Sequence, residues 1–164
     1  MLTINKLISK ENLPEYRTAL KQQGKTLVVT NGCFDLLHVG HVHFLQEAAR
    51  RGDVLLVGVN SDRSVQALKG PDRPIYSEEA RLYLLNALAC VDKLFVIEGP
   101  HLAEELELIA PDVYVKAGDY TLESLNPYER KALERVHAKI EFLHFQAGWS
   151  TSNTIQRIRA IGAH

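Results

Sequence analysis

The fold of this chain is decided by residues 27–41, which read LVVTNGCFDLLHVGH. The apolar and partly β-branched beginning, Leu27 to Thr30, is typical of a buried strand. A polar loop with a glycine follows it, and the apolar spacing from Val42 to Ala49 then predicts a helix. Strand, loop and helix in direct succession form the first half of a parallel β-α-β unit.

The same alternation continues along the rest of the chain. Further strands are predicted at residues 54–59, 94–97, 113–115 and 140–145. Further helices are predicted at residues 12–23, 77–88, 102–109, 126–138 and 150–161. The helix opened by Ser77 is expected to bury an apolar face of Ala80, Leu84, Ala87 and Leu88. Strands that alternate with helices predict an α/β domain, a doubly wound five-stranded parallel sheet with right-handed crossovers.

Composition narrows the class of protein. The chain has 164 residues, of which 46% are hydrophobic and 24% charged, and this favours a single domain. We expect a helical lead-in over residues 1–24 and the main domain over residues 25–164. A net charge of -1 argues against a nucleic-acid partner, because such binding needs a dense basic surface.

Cysteine content and hydropathy point to the cytoplasm. The 2 cysteines, Cys33 and Cys90, lie far apart, with no paired motif of a secreted scaffold, which fits a reducing compartment. The longest near-continuous apolar run, Val54 to Val59, is far shorter than the roughly 20 residues of a membrane span. We therefore expect a cytoplasmic protein that does not use a membrane as its partner.

Common nucleotide and hydrolase motifs are missing. Gly24-Lys25-Thr26 resembles the end of a P-loop, but Ala19 stands where the first glycine would be, and the triplet precedes its strand. No Gly-x-Gly-x-x-Gly follows a strand, and no Gly-x-Ser-x-Gly nucleophile elbow is present. Dinucleotide oxidoreductases and serine hydrolases are therefore disfavoured.

The loop after the first strand carries the clearest chemical signal. His38 and His41 stand three residues apart at the entrance to a helix, with Gly40 between them. This spacing puts both imidazoles on one side, beside backbone N–H groups that favour an anion, so we predict a phosphate site. One alternative is a capping histidine beside a partly exposed one, and another is a zinc site that uses Cys33 or Asp35.

A second candidate anion site lies at the start of the last helix. Ser150, Thr151 and Ser152 put hydroxyl groups beside free N–H groups there. The same residues are also suited to an ordinary helix cap, so the sequence alone leaves both interpretations open.

Several motifs in order resemble a known family. The chain carries TNGCFD at 30–35, HVGH at 38–41, GD at 52–53, VNSD at 59–62, KG at 69–70, RP at 73–74, Arg81, VKAGDY at 115–120 and STSN at 150–153. Together these resemble the cytidylyltransferase-like nucleotidyltransferases and, within them, the adenylyltransferases that act on heptose 1-phosphate. Trp149 and Ala117 depart from the usual pattern of that group.

The resemblance implies a Rossmann-like fold and a transferase reaction. A nucleoside monophosphate would pass from a triphosphate, expected to be ATP, to a sugar phosphate such as D-glycero-β-D-manno-heptose 1-phosphate, with release of pyrophosphate. The product, ADP-heptose, would serve the synthesis of lipopolysaccharide or surface glycans. One alternative is a cytidylyltransferase for glycerol 3-phosphate or a similar small phosphorylated alcohol, and another is a nucleotide-binding subunit without catalysis.

The resemblance also implies roles for individual residues. The catalytic set would be His38, His41 and Lys116. The nucleotide would contact Asn31, Gly32, Cys33, Phe34, Gly40, His41, Arg81, Ser150, Thr151 and Ser152. The acceptor would contact Lys25, Asp35, Asn60, Asp62, Lys69 and Arg73. Mg²⁺ would accompany the triphosphate without a dedicated protein metal site, and a homodimer is expected.

Overall fold

The computed structural model describes residues 2–118, 120–143 and 150–161, and within them a parallel sheet organises the chain. Its five strands are β1 (Leu27–Gly32), β2 (Val54–Asn60), β3 (Lys93–Ile97), β4 (Val113–Ala117) and β5 (Lys139–Leu143). Their order across the sheet is β3-β2-β1-β4-β5. The chain moves outward from β1 on one side, then crosses back to begin the other side at β4. The predicted doubly wound α/β fold is therefore confirmed.

Helices connect these strands. Those of the described residues are α1 (Leu13–Gln22), α2 (Val39–Ala49), α3 (Asp62–Lys69), α4 (Glu78–Asn86), α5 (Ala103–Ile109), α6 (Pro127–Arg135) and α7 (Thr151–Ile161). The sequence pattern did not predict α3. The end of α6 was predicted at Ala138, but the helix stops at Arg135, and His137 adopts a left-handed backbone with φ 56°. The predicted end of β5, residues 144–145, lies outside the described residues.

The buried face of α4 differs from the prediction. Its buried residues are Arg81, Leu82 and Leu85, whereas Ala80, Leu84, Ala87 and Leu88 are only partly buried or exposed. The apolar spacing misplaced the face because it counts only apolar side chains and therefore leaves out Arg81. In the structure the guanidinium group of Arg81 finds hydrogen-bond partners in the interior, which allows burial of a charged side chain.

Two apolar clusters cover the two faces of the sheet. Leu27 and Val29 of β1 face one cluster, while Val28 between them faces the other, as the alternation of side chains along a strand requires. Leu13 and Leu20 of α1 belong to the first cluster. The residues predicted as a lead-in therefore share the core of the sheet, and the boundary near residue 25 stays a prediction.

The helices are short compared with a bilayer. The longest of them, α2 and α7, each have 11 residues, whereas crossing a membrane takes about 20 apolar residues. Across residues 2–118, 120–143 and 150–161, no helix has the length and apolar character of a membrane span.

Candidate active site

A cavity of about 710 Å³ lies at the carboxyl ends of the strands, where ligands bind in open parallel sheets. Many of the residues predicted for the site line it: Asn31, Gly32, Cys33, Phe34, Asp35, His41, Asn60, Lys69, Arg73, Lys116, Thr151 and Ser152. The other predicted residues, which are not part of this lining, are Lys25, His38, Gly40, Asp62, Arg81 and Ser150. The loop after β1 and the start of α7 thus contribute to one cavity.

The two histidines of the first loop form a stacked pair. His38 has an extended backbone directly before α2, and His41 lies in the first turn of that helix. Their ring centroids are 3.8 Å apart with an angle of 21° between the planes, so both rings lie on one side, as their spacing predicts. The ring of Phe34 meets His41 edge-on at 5.4 Å. Among the described residues, neither Nδ1 atom has a hydrogen-bond partner, although both atoms are buried.

Burial makes these imidazoles hydrogen-bonding groups and not cations. Desolvation lowers the pKa of His41 to about 4, and the neighbouring His38 adds to this shift. Desolvation also lowers the pKa of His38. At neutral pH each ring therefore offers one N–H donor and one acceptor nitrogen. Such a pair can donate hydrogen bonds to a phosphate without adding a permanent charge.

The two alternatives for this loop find no support in the described residues. His38 occupies the N-cap position of α2, but its side chain makes no capping hydrogen bond there. Within the ranges that the structure covers, no group of three or more His, Cys, Asp or Glu side chains is placed to hold a metal ion. Burial raises the pKa of the Cys33 thiol, which disfavours the thiolate that zinc requires.

The glycine of this loop makes room for the aromatic ring beside the histidines. A Cβ atom on Gly32 would lie 3.1 Å from the Phe34 ring, closer than a comfortable contact. Phe34 itself has φ 48°, a left-handed conformation that is uncommon for a residue with a side chain. The loop is thus shaped to pack Phe34 beneath His41.

Lys116 is held by side chains of the neighbouring strands β1 and β4. Its Nζ donates to Asn31 Oδ1 at 3.1 Å and to Tyr114 Oη at 3.3 Å, and the Tyr114 hydroxyl donates to the same Asn31 oxygen at 2.8 Å. Burial lowers the pKa of Lys116. The ammonium group is therefore fixed at the cavity wall in a partly dehydrated environment, where its attraction for an anion is strengthened.

Asp35 shapes the loop between α3 and α4. Its buried carboxylate accepts hydrogen bonds from the backbone N–H groups of Ile75 at 2.7 Å and Tyr76 at 2.9 Å, and from Nε of Arg73. We expected Asp35 among the acceptor contacts. In the structure its oxygens are engaged by the protein, and Asp35 holds Arg73 at the cavity wall instead.

Arg81 requires a correction, because it lies beneath the cavity and not in its wall. Its side chain has 0% exposure, and it donates to the carbonyl oxygens of Cys33 and Asn60, both at 2.7 Å, and of Tyr76 at 3.1 Å. It also donates to Asp62 at 2.9 Å. These bonds use four of the roughly five N–H donors of a guanidinium group. The buried Arg81 therefore supports the loops instead of contacting the nucleotide. The Asp62 side chain is 43% exposed, and its contact with the acceptor stays a prediction.

Lys25 also lies away from the predicted site. It is exposed and precedes β1, at the amino end of the strand, whereas the cavity is at the carboxyl end. A strand of 6 residues such as β1 spans about 20 Å. Because of this separation, the structure does not bring Lys25 to the acceptor residues.

The hydroxyl-bearing residues at the start of α7 differ in role: one caps the helix, and two line the cavity. The Ser150 hydroxyl accepts from the N–H of Asn153 at 3.1 Å, as a helix cap does. Thr151 and Ser152 line the cavity. Trp149, which departs from the usual pattern, and Asp119 lie outside the described residues.

Among the lining residues that were not predicted for the site are three with titratable side chains, His101, Tyr120 and Glu129. His101 and Tyr120 lie in the loops after β3 and β4, and their position at carboxyl ends of strands was the available signal. Glu129 belongs to α6, and nothing in the sequence separates it from the other acidic residues of that helix. Only the packing of α6 brings it to the cavity.

These features define a class: α/β proteins that bind phosphate ligands where the carboxyl ends of parallel strands meet helix N-termini. Within that class, residues 29–157 match the cytidylyltransferase-like family. The match covers most of the chain, and the chain belongs to this family.

Individual relatives agree with that assignment. The chain is 43% identical over 154 residues to the bifunctional protein HldE of Syntrophotalea carbinolica, covering 94% of this chain and 31% of that protein. It is 45% identical over 140 residues to the bifunctional protein HldE of Geobacter sulfurreducens, covering 85% and 28%. The chain thus spans about a third of the length of these relatives.

Solved structures share the fold. A lipopolysaccharide core biosynthesis protein from Thermoplasma volcanium superposes with a TM-score of 0.61 at 27% identity, covering 75% of this chain and 98% of that one. A pantoate-β-alanine ligase from Francisella tularensis superposes with a TM-score of 0.62 at 15% identity, covering 91% and 72%. The second similarity concerns the fold alone.

Proposed function

We propose that this protein transfers AMP from ATP to heptose 1-phosphate and so forms ADP-heptose and pyrophosphate. Membership of the cytidylyltransferase-like family and similarity to HldE proteins and to a lipopolysaccharide core biosynthesis protein support this. The observation that carries the proposal is the shared cavity. The stacked pair of His38 and His41 adjoins it through His41, and Thr151 and Ser152 of α7 line it as well.

In the proposed reaction, an oxygen of the acceptor phosphate attacks the α-phosphorus of the triphosphate. A new P–O bond forms to the acceptor, and the bond from the α-phosphorus to the bridging oxygen breaks, so that pyrophosphate leaves in line. The attacking phosphate is already ionised, so no side chain has to remove a proton. The protein contributes alignment and stabilisation of the charge that develops on the transferring group.

We assign to the histidine pair the stabilisation of the charge that develops on the transferring group. As neutral rings, His38 and His41 donate hydrogen bonds to the oxygens of the α-phosphate, while Thr151 and Ser152 receive the β- and γ-phosphates at the start of α7. Each hydrogen bond to a charged group contributes about 1.5 to 3 kcal/mol. Loss of one is therefore expected to slow the reaction by about tenfold to several hundredfold.

Further predicted residues are each assigned to one of the two substrates. The loop from Asn31 to Phe34, together with Gly40, is assigned to the nucleotide. Arg73, Lys69 and Asn60 are assigned to the acceptor, with Lys116 near the transferring phosphate. Mg²⁺ is proposed as part of the substrate, bound to the triphosphate, because the described residues offer no cluster of three or more acidic, His or Cys ligands.

The test is pyrophosphate release from ATP or CTP, each combined with heptose 1-phosphate or glycerol 3-phosphate. We expect release with ATP and heptose 1-phosphate. Turnover with CTP and glycerol 3-phosphate alone would replace the proposal by a cytidylyltransferase. Tight ATP binding without turnover on any acceptor would indicate a nucleotide-binding subunit.

Two histidine variants make the test specific to the site. His41→Ala is expected to lose at least about tenfold in turnover while keeping the fold. His43→Ala is the matched control, since His43 lies on the same helix and is not part of the cavity lining. Equal activity of both variants would contradict the role of the pair.

A further inference from the structure

Glu129 uses its carboxylate in an unusual way for its position. It is the third residue of α6, where a Glu commonly reaches back to cap its own helix. Here Asn126 does the capping, and its Oδ1 accepts from the N–H groups of Tyr128 at 2.9 Å and Glu129 at 3.4 Å. The Glu129 carboxylate instead contacts other elements. Its Oε1 accepts from the N–H of Leu102 at 3.2 Å, and its Oε2 lies 3.9 Å from Nζ of Lys116.

Both charged groups of this contact are largely withdrawn from water. The side chains of Lys116 and Glu129 are 15% and 8% exposed. A buried carboxylate is costly unless an opposite charge and hydrogen bonds compensate for it. The Lys116 ammonium and the Leu102 N–H supply that compensation, so the three groups connect β4, the loop before α5, and α6.

The distances indicate what Glu129 does to Lys116. An ammonium group has about three N–H bonds, and two of those of Lys116 are directed at Asn31 and Tyr114. At 3.9 Å the Glu129 oxygen is too far for a hydrogen bond but close enough for strong charge attraction. Glu129 therefore attracts the ammonium without occupying the N–H bond that a phosphate would use.

We propose that Glu129 is a positioning residue, which keeps Lys116 charged and oriented at the cavity and joins it to the loop before α5 through Leu102. The proposal rests on the proposed function only in assigning Lys116 to a substrate phosphate. It predicts that removal of the Glu129 charge acts through Lys116 and not through the stability of α6.

Other groups around Lys116 do not replace this charge. Burial is the main cause that lowers the pKa of Lys116, and Glu129 is the leading group that opposes it, with a smaller contribution from Cys33. Burial raises the pKa of the Cys33 thiol, and it raises that of the Tyr114 hydroxyl well above its usual value, so both are neutral at neutral pH. The Tyr120 ring lies 5.4 Å from Nζ and offers only its face, and His101 lines the same cavity.

The first experiment measures the pKa of Lys116 without using turnover. Lys116 is acetylated by limiting acetic anhydride across a pH series, and its labelling is quantified by peptide mass spectrometry. Glu129→Gln keeps an oxygen for the Leu102 N–H but removes the charge. Since an opposite charge at this distance typically shifts a pKa by about 1 to 3 units, the variant is expected to lower the Lys116 pKa by about that much.

A matched control separates charge from helix stability. Glu134→Gln makes the same change on α6 at an exposed residue that pairs with Arg130 at 2.9 Å. It is expected to leave the Lys116 pKa unchanged. An identical Lys116 pKa in wild type and Glu129→Gln, or an equal shift in both variants, would overturn the proposal.

The second experiment follows pyrophosphate release as a function of pH. In Glu129→Gln, kcat/KM is expected to approach the wild-type value at low pH and to fall about tenfold or more at high pH, because the less stable ammonium deprotonates earlier. Glu129→Asp keeps the charge and is expected to restore most of the high-pH activity. It also serves as the readout if the Gln variant does not fold. A loss of activity that is equal at every pH, or the absence of rescue by Asp, would contradict the proposal.

The two experiments test the proposed function and the positioning role of Glu129 independently of each other. If the wild type releases no pyrophosphate with heptose 1-phosphate, the proposed function is wrong, and the labelling experiment still decides whether Glu129 controls Lys116. If turnover is normal and the Lys116 pKa does not respond to Glu129, the positioning role alone is wrong.

Discussion

Replacement of Arg81 by methionine tests whether this residue supports the loops or binds phosphate. Arg81→Met has a similar length but no donors, and it would leave the carbonyl oxygens of Cys33, Asn60 and Tyr76 without their partner. A residue that only contacted ligand would be replaceable without loss of stability. A buried residue that donates hydrogen bonds to backbone carbonyl oxygens would not be replaceable without such a loss.

The expected magnitude follows from the partners that lose their bonds. A buried polar group left unsatisfied costs about 1 to 3 kcal/mol. The carbonyl oxygens of Cys33 and Asn60, each 2.7 Å from the guanidinium, give the larger part. Asp62 adds little, because its side chain is 43% exposed and water can solvate it. We therefore expect the free energy of unfolding to fall by about 4 kcal/mol, equivalent to about 8 to 16 °C in Tm.

The assay is urea unfolding, followed by circular dichroism, together with ATP binding by calorimetry. The control is Arg63→Met on α3, since the Arg63 side chain is 80% exposed and makes only a long ion pair of 3.7 Å with Glu98. Its effect should stay within about 0.5 kcal/mol. Arg81→Lys keeps the positive charge but not the planar arrangement of donors, and it should still lose about 2 kcal/mol. Normal stability of Arg81→Met with weakened ATP binding would refute the supporting role.

Two further predictions concern His41 and β2. Because burial depresses the pKa of His41 to about 4, its contribution to stability is full above the unfolded pKa of about 6.5 and is lost as pH falls toward 4. His41→Gln should flatten the decline of stability between these pH values, and a decline identical to that of wild type, measured by urea unfolding at each pH, would show that His41 does not cause it. Gly58→Ala would place a Cβ atom 2.7 Å from the Phe95 ring and 2.8 Å from Ile97 Cδ1. This overpacking should cost about 1 to 3 kcal/mol, and a Tm equal to that of wild type would contradict the packing argument.

The regular part of the fold could be predicted because its signals are local. The runs from Leu27 to Thr30 and from Val54 to Val59 are almost entirely apolar, as is typical of strands buried on both faces. Helix α3 escaped prediction because its apolar pattern is sparse. It buries only Ser64 and Val65 and leaves Leu68 52% exposed.

The residues of the candidate site could be predicted only in part from local sequence signals. The spacing of His38 and His41 along one helix start dictates their shared side, so the sequence suffices to predict it. Lys25 was assigned to the acceptor by its proximity to β1, although its position before the strand already places it at the amino end, away from the cavity. Asp35 was assigned to ligand because nothing local shows that Ile75 and Tyr76 would take its oxygens.

The sequence by itself determined the order of the five strands, most of the helices between them and the shared side of the two histidines. These follow from periodicities and spacings within a few residues of the chain. Only the tertiary structure decided that Arg81 lies buried beneath the loops and that Glu129 meets Lys116. Those contacts join residues from different elements, and their energies depend on burial and on the exact partners available, which no local pattern encodes.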